Sequence, residues 1–264
     1  MKKSLLILVL VFTIIFIIVQ NLSTSHDDYS KYFNQYLTFK PDNFNHNQMY
    51  PLLFMLHGHS GDYKQWSEIV DLQKYANKFG FIIVCPDGKY DSWYVDSPIL
   101  KESQFESYFF NDLVPEIFSN YSIDSNNVFI TGLSMGGHGA INLFFNHPQF
   151  FKSAGSTSGI LDLLPFPDNW EIKNVLGDQE KYRDNWIKHS AIYNLDKIKN
   201  LNKKFIVDCG TEDFAYDVNR RFRDSCEVKG IKLKFIQTHG DHSSEYWSKS
   251  IINHFEFFTE MIKN

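Results

Sequence analysis

Ser134 stands in Gly132-Leu133-Ser134-Met135-Gly136, with Gly137 next. A serine with glycines two residues away on each side suits a sharp strand-to-helix turn that lifts a nucleophilic hydroxyl clear of the backbone. Gly132 and Gly136 leave room where a Cβ would strike neighbouring main chain. The helix that follows aims N–H groups and partial positive charge at a forming oxyanion. The chemistry this implies is attack on a carbonyl and transfer of an acyl group.

A serine hydroxyl is a weak nucleophile at neutral pH and needs a base. Where such an elbow is used, the acid and then the histidine follow the serine in the chain. Ten histidines compete. His242, in Thr238-His239-Gly240-Asp241-His242, lies between the last expected strand and the C-terminal helix, where the base belongs. His239 is the nearest rival, at the strand end. His26, His46, His147, His189 and His254 fall in loops or on helices, and His138 sits one helical turn past Ser134, facing away. The acid should follow the penultimate strand, which points to Asp213 or Glu212 in Gly210-Thr211-Glu212-Asp213-Phe214. Asp213 is preferred, and it can also cap the next helix. Asp208 lies inside the strand. Backbone amides of Met135 and of His59, in His57-Gly58-His59-Ser60-Gly61, are the expected oxyanion donors.

Elements able to hold these residues are legible in the hydropathy pattern. Nearly continuous apolar runs at 52–56, 81–85, 128–131, 152–156, 205–209 and 233–237 read as strands covered on both faces. Residues 36–39 read as an antiparallel edge strand. Helical stretches at 63–78, 102–118, 136–146, 214–229 and 245–262 alternate with them, which predicts an α/β fold with a mostly parallel central sheet and helices on both faces. Residues 159–200 break the alternation. This excursion carries Pro165, Pro167, Trp170, Gly177 and Trp186, and is either a lid or binding wall or a packed elaboration.

The chain has 264 residues, 43 % hydrophobic and 22 % charged, with 25 Phe, which suits one globular domain over 26–264. A net charge of −5 gives no general attraction to nucleic acid or anionic lipid. Lys2 and Lys3 precede an apolar run over 5–19, short of the roughly 20 residues of a spanning helix. Residues 1–25 therefore read as a signal peptide or an N-terminal membrane anchor, with the catalytic domain outside the cytoplasm in either case. Any membrane contact would run through that segment alone. Cys85, Cys209 and Cys226 are too few for a disulfide framework. Cys85 and Cys209 read as core residues, and one bridge is left open.

Several stretches together resemble the esterase D-like branch of the α/β-hydrolases, which includes feruloyl and other carbohydrate esterases, S-formylglutathione hydrolases and mycolyltransferases. They are Tyr50-Pro51-Leu52-Leu53-Phe54-Met55-Leu56-His57-Gly58, Pro86-Asp87-Gly88, Ser92-Trp93-Tyr94-Val95-Asp96-Ser97-Pro98, the Ser134 elbow, Cys209-Gly210-Thr211-Glu212-Asp213-Phe214, and Gly240-Asp241-His242-Ser243-Ser244-Glu245-Tyr246-Trp247. The resemblance implies the α/β-hydrolase fold. It places nucleophile, acid and base at Ser134, Asp213 and His242, and the oxyanion amides at His59 and Met135, in agreement with the residue-level reading. It also implies that the loop at 93–98 lies near the mouth, with Trp93 either touching substrate or anchoring the loop.

The expected activity is hydrolysis of a small or polysaccharide-linked ester, feruloyl or acetyl among them, through an acyl-enzyme and without a cofactor. Acyl transfer to another alcohol at the same site is the alternative. A metal site on His57, His59, His239, Asp241 and His242 is disfavoured, because Gly61 stands where a His-x-His-x-Asp motif needs its carboxylate. A non-catalytic binding protein on this scaffold is disfavoured because every triad position holds a competent residue.

Overall fold

The computed structural model describes residues 31–263. The segment 1–25, read above as signal or anchor, lies outside the described residues, as does His26. Among the described residues no helix is long and apolar enough to cross a membrane.

Alternation along β2 (Tyr50–Leu56) shows how the sequence builds the molecule. Leu52, Phe54 and Leu56 enter one core, while Leu53 and Met55 enter another on the opposite face. The strand therefore has no polar face, and the same holds for β3 (Ile82–Pro86), whose residues are all buried. These join β1 (Tyr36–Phe39), β4 (Ile123–Gly132), β5 (Ser153–Thr157), β6 (Lys204–Gly210) and β7 (Lys232–Thr238) in a sheet of order β1-β3-β2-β4-β5-β6-β7. β1 pairs antiparallel with β3, and the other pairings are parallel. The expected architecture is found, the antiparallel edge strand included.

From β2 the chain steps outward to β3, then returns past β2 to β4 and continues the other way. Connections leaving β2 and β4 thus diverge, opening a crevice at their carboxyl ends, where such sheets bind ligands. The loop holding His59 leaves β2 there, and the Ser134 elbow leaves β4.

Helices cover both faces. α1 (Gln65–Ile69), α2 (Leu72–Phe79) and, at the C-terminus, a long helix pack on the core containing Leu53 and Met55. α3 (Phe105–Tyr108), α4 (Val114–Asn120) and α5 (Met135–Asn146) pack on the Leu52 side. The excursion supplies α6 (Ile172–Leu176) and α7 (Arg183–His189), α8 (Tyr216–Val228) follows β6, and α9 (Ser244–Lys263) is the C-terminal helix.

Two helices depart from expectation for local reasons. The stretch 63–78 breaks at extended Val70, because the Asp71 side chain accepts from Lys74 N and starts α2 afresh. The stretch 102–118 begins at Phe105 and passes through a π-turn (Phe109–Leu113) between α3 and α4. Pro115 follows directly; lacking an N–H, it cannot continue the ordinary ladder, and the wider turn accommodates its ring.

Beneath the sheet a buried polar stitch joins three strands to α9. Asp208 accepts from Thr157 Oγ1 (2.6 Å) and meets His254 Nε2 at 2.5 Å, while His254 Nδ1 meets Thr131 Oγ1 at 2.7 Å. Asp208 and His254 are fully buried, so Asp208 is engaged structurally and turned away from the catalytic turn. Cys85, Cys209 and Cys226 are all buried and free, so none of the bridges left open above is formed.

Candidate active site

The elbow is built from strain and close approach. Ser134 adopts φ 52°, ψ −118°, immediately before α5. A Cβ on Gly132 would lie 2.3 Å from Gly136 O, and one on Gly136 would lie 2.3 Å from Leu56 O. Only glycine lets the elbow press against β2 this closely. The turn is then pinned by Ser134 N donating to Thr157 O (3.0 Å) and Gly136 N to Leu133 O (2.7 Å).

Ser134, His242 and Asp213 come together although they are far apart in the chain. His242 Nε2 lies 2.9 Å from Ser134 Oγ, and its Nδ1 lies 2.9 Å from both oxygens of Asp213. The Asp213 side chain is fully buried and its Oδ1 also accepts from Ala215 N (2.8 Å), so one carboxylate fixes the histidine and the start of the next helix. This geometry puts the proton of a neutral imidazole on Nδ1 and leaves Nε2 free to accept from the serine. The neighbouring rivals are occupied elsewhere. Glu212 holds Gly240 N (2.6 Å) and His239 Nδ1 (2.7 Å), and the His239 side chain is 91 % exposed.

The loop after β2, expected to supply an oxyanion amide, sits against the elbow: a Cβ on Gly58 would lie 3.5 Å from Ser134 Cβ. The His59 amide lies between two amides engaged elsewhere, Gly58 N with Gln65 Oε1 (2.8 Å) and Ser60 N with Tyr90 O (2.9 Å). Met135 opens α5, so its N–H belongs to the first turn, where amides have no partner within the helix. His57 orders the loop from beneath: its Nδ1–H donates to Gly58 O (2.8 Å) and its Nε2 accepts from Gly88 N (2.7 Å). Among the described residues no cluster of three or more side chains able to hold a metal ion is formed.

The 159–200 excursion reaches the site through its tip. Trp170 and Glu171 take φ 49° and 56° in succession, which sends their side chains in different directions. Glu171 Oε2 meets His59 Nε2 at 2.7 Å, while the Trp170 ring stacks on Phe214 at 5.2 Å. The tip therefore spans from the His59 loop to the turn carrying Asp213. Trp93 is placed differently from a substrate contact. It is 1 % exposed, with Nε1–H donating to Trp170 O (3.1 Å), the contact expected of an anchor for the tip. Phe214, 49 % exposed, lies 4.3 Å from the His242 ring, and Tyr90, 55 % exposed, lies 4.6 Å from the His59 ring. Sequence reading missed Phe214 and Glu171. Phe214 directly follows Asp213 and could have been found by that adjacency.

Behind the nucleophile, His138 Nε2–H donates to His189 O at 2.7 Å. Burial pushes His138 down to about 4, against hydrogen bonds to the His189 and Trp93 backbones that raise it. Burial, then the nearby His138, Lys188 and Lys197 charges, push His189 down to about 3. Both histidines are neutral when folded and take protons on unfolding below 6.5, the ordinary value. Their contribution to stability is therefore full above pH 6.5 and is lost as pH falls toward 4 for His138 and toward 3 for His189. The thermal midpoint should fall across that window, and His189→Gln should flatten the slope, each pKa unit being about 1.4 kcal/mol. An identical slope in the variant would refute the assignment.

Sheet order, elbow and the hydrogen-bonded Ser–His–Asp set define a serine hydrolase of the α/β-hydrolase fold. The chain belongs to the Esterase family, described as "Putative esterase", whose family model matches residues 33–258. It is 26 % identical over 227 residues to an acetyl esterase of Caldicellulosiruptor saccharolyticus, covering 79 % of this chain and 83 % of that one. It is 25 % identical over 238 residues to the diacylglycerol acyltransferase/mycolyltransferase Ag85B of Mycobacterium leprae (strain TN), covering 76 % and 73 %. Among solved structures, a ferulic acid esterase superposes with a TM-score of 0.75 at 26 % identity, covering 86 % of this chain and 91 % of that one. The chain is a carboxylic ester hydrolase by this kinship.

Proposed function

We propose that this is a secreted or membrane-anchored carboxylesterase that cleaves a carbohydrate-linked acyl ester, feruloyl or acetyl, through an acyl-enzyme on Ser134. The observation that carries the reaction is the continuous line from Ser134 Oγ through His242 to Asp213, with every contact at 2.9 Å. The substrate class is supported by likeness to an acetyl esterase and a ferulic acid esterase. Placement outside the cytoplasm is supported by the basic and apolar character of residues 1–25.

In the first step Ser134 Oγ bonds to the substrate carbonyl carbon as its proton passes to His242 Nε2. The carbonyl oxygen gains negative charge and is held by the His59 and Met135 amides, a donor of this kind being worth about 100- to 1,000-fold in rate. The C–O bond to the alcohol then breaks, and His242 returns the proton to the departing oxygen. Water attacks the acyl-enzyme by the same route and releases the acid. Asp213 remains ionised throughout and stabilises the imidazolium. The steps need no cofactor and no nucleic-acid or protein partner.

A fluorophosphonate probe tests this directly. One covalent adduct on Ser134 is expected in the wild type and none in Ser134→Ala; an undiminished adduct in the variant would defeat the assignment. Likeness to a mycolyltransferase favours a second reading, in which another alcohol takes the place of water. A transfer product that dominates at low acceptor concentration would establish it.

A further inference from the structure

Hydrogen bonds hold both nitrogens of His242 but leave the tilt of its ring open. Nδ1 is 2.9 Å from both Asp213 oxygens, so a single N–H is shared and the imidazole can rock about it. Rocking moves Nε2 relative to Ser134 Oγ and to a departing alcohol, and proton transfer tolerates little of that. Packing has to supply what the hydrogen bonds leave free.

Two rings pack on the imidazole. Phe214 lies at 4.3 Å but is 49 % exposed, which makes it a yielding support. Trp247 meets the imidazole edge-on, at 5.1 Å and 86°, and is 7 % exposed. Its Nε1–H donates to Ser158 Oγ at 3.1 Å in a buried bond. The indole is thus held by a directed bond as well as by packing.

Ser158 directly follows β5 and is fully buried, with φ 51°. Its N donates to Asp208 O (2.8 Å), and the preceding carbonyl, Thr157 O, accepts from Ser134 N (3.0 Å). Thr157 Oγ1 also meets Ser250 Oγ at 3.0 Å, one turn beyond Trp247 on α9. Thr157 and Ser158 therefore grip the backbone of the nucleophile on one side and the first turns of α9 on the other. That helix starts at Ser244, two residues after His242. One dipeptide thus sets the distance between serine and base.

We propose that Trp247 and Ser158 are positioning residues for the base, their hydrogen bond keeping the ring of His242 in register with Ser134 Oγ. This role rests on the reading of His242 as the base, and neither residue touches substrate. Ser158 supplies the acceptor, and Trp247 supplies the surface against which the imidazole stops. A misplacement of about 1 Å can cost about 100-fold in rate, and the loss falls on kcat because substrate contacts are unaltered.

The test is steady-state kinetics on p-nitrophenyl acetate. Trp247→Leu should lower kcat by about 10- to 100-fold, and Trp247→Phe and Ser158→Ala by about three- to ten-fold, with KM within about two-fold throughout. Trp247→Phe combined with Ser158→Ala should cost no more than the worse single variant, since both delete one bond. In a His242→Ala background, Ser158→Ala and Trp247→Leu should leave the residual rate unchanged, whereas a purely structural role would lower it further. Trp247→Leu opens a cavity, so Ser158→Ala, which removes one oxygen, decides the matter if the larger change unfolds the chain. An unchanged kcat in either Ser158→Ala or Trp247→Phe, a loss carried by KM, or an equal loss with and without His242 would overturn the proposal. A His242→Ala rate within about ten-fold of wild type would instead overturn the reading of the base.

Discussion

Replacing Ser134 by alanine should lower kcat by on the order of 10⁶ while shifting the thermal midpoint by no more than a few degrees. The two expectations come from different atoms. Alanine keeps the Cβ that already lives with φ 52°, ψ −118°, and the backbone bonds from Ser134 N to Thr157 O and from Gly136 N to Leu133 O remain. Only Oγ is lost, and its partner His242 Nε2 belongs to a side chain still 18 % exposed, where water can replace it. Steady-state kinetics together with a melting curve decide the matter. A residual rate within about 100-fold of wild type would mean that another nucleophile does the chemistry. Adding His242→Ala to Ser134→Ala should cost little more, since the base has nothing left to activate.

Asp213→Asn should cost about 10⁴ in kcat, and Glu212→Gln less than about ten-fold. The residues are adjacent, yet their surroundings differ. Both Asp213 oxygens are 2.9 Å from His242 Nδ1 on a fully buried side chain, so an amide there removes the charge that holds the proton on Nδ1. Glu212 is spent on Gly240 N and His239 at the surface, where it shapes the turn without touching the base. Rates for both variants at one neutral pH are sufficient, and a larger loss in Glu212→Gln would reverse the assignment.

The strands were legible because burial on both faces imposes near-continuous apolar runs. Their ends were not, since Lys204 and Thr238 pair in the ladder while their side chains look like loop residues. Val70-Asp71 marked a break inside 63–78 that apolar periodicity hides, and the Asp71 cap explains it. The side chains that the structure brings together, Ser134, His242 and Asp213, were readable because the elbow fixes its glycines and chain order fixes the rest. The excursion's tip was not readable. Trp170 and Glu171 adopt positive φ with no glycine to announce it, held by Trp93, Phe214 and His59 from distant parts of the chain. Trp93 was noticed for its type, but its burial depends on Trp170, 77 residues away.

His59 serves the cleft twice, by different parts of itself. The proposed oxyanion contact uses its main-chain amide, which is the same in every residue but proline. The tether to Glu171 uses its imidazole. Position 59 can therefore vary in evolution or in the laboratory to re-tie the excursion's tip while the amide proposed to hold the anion stays in place. Divergence in substrate choice can accumulate there with the chemical step untouched.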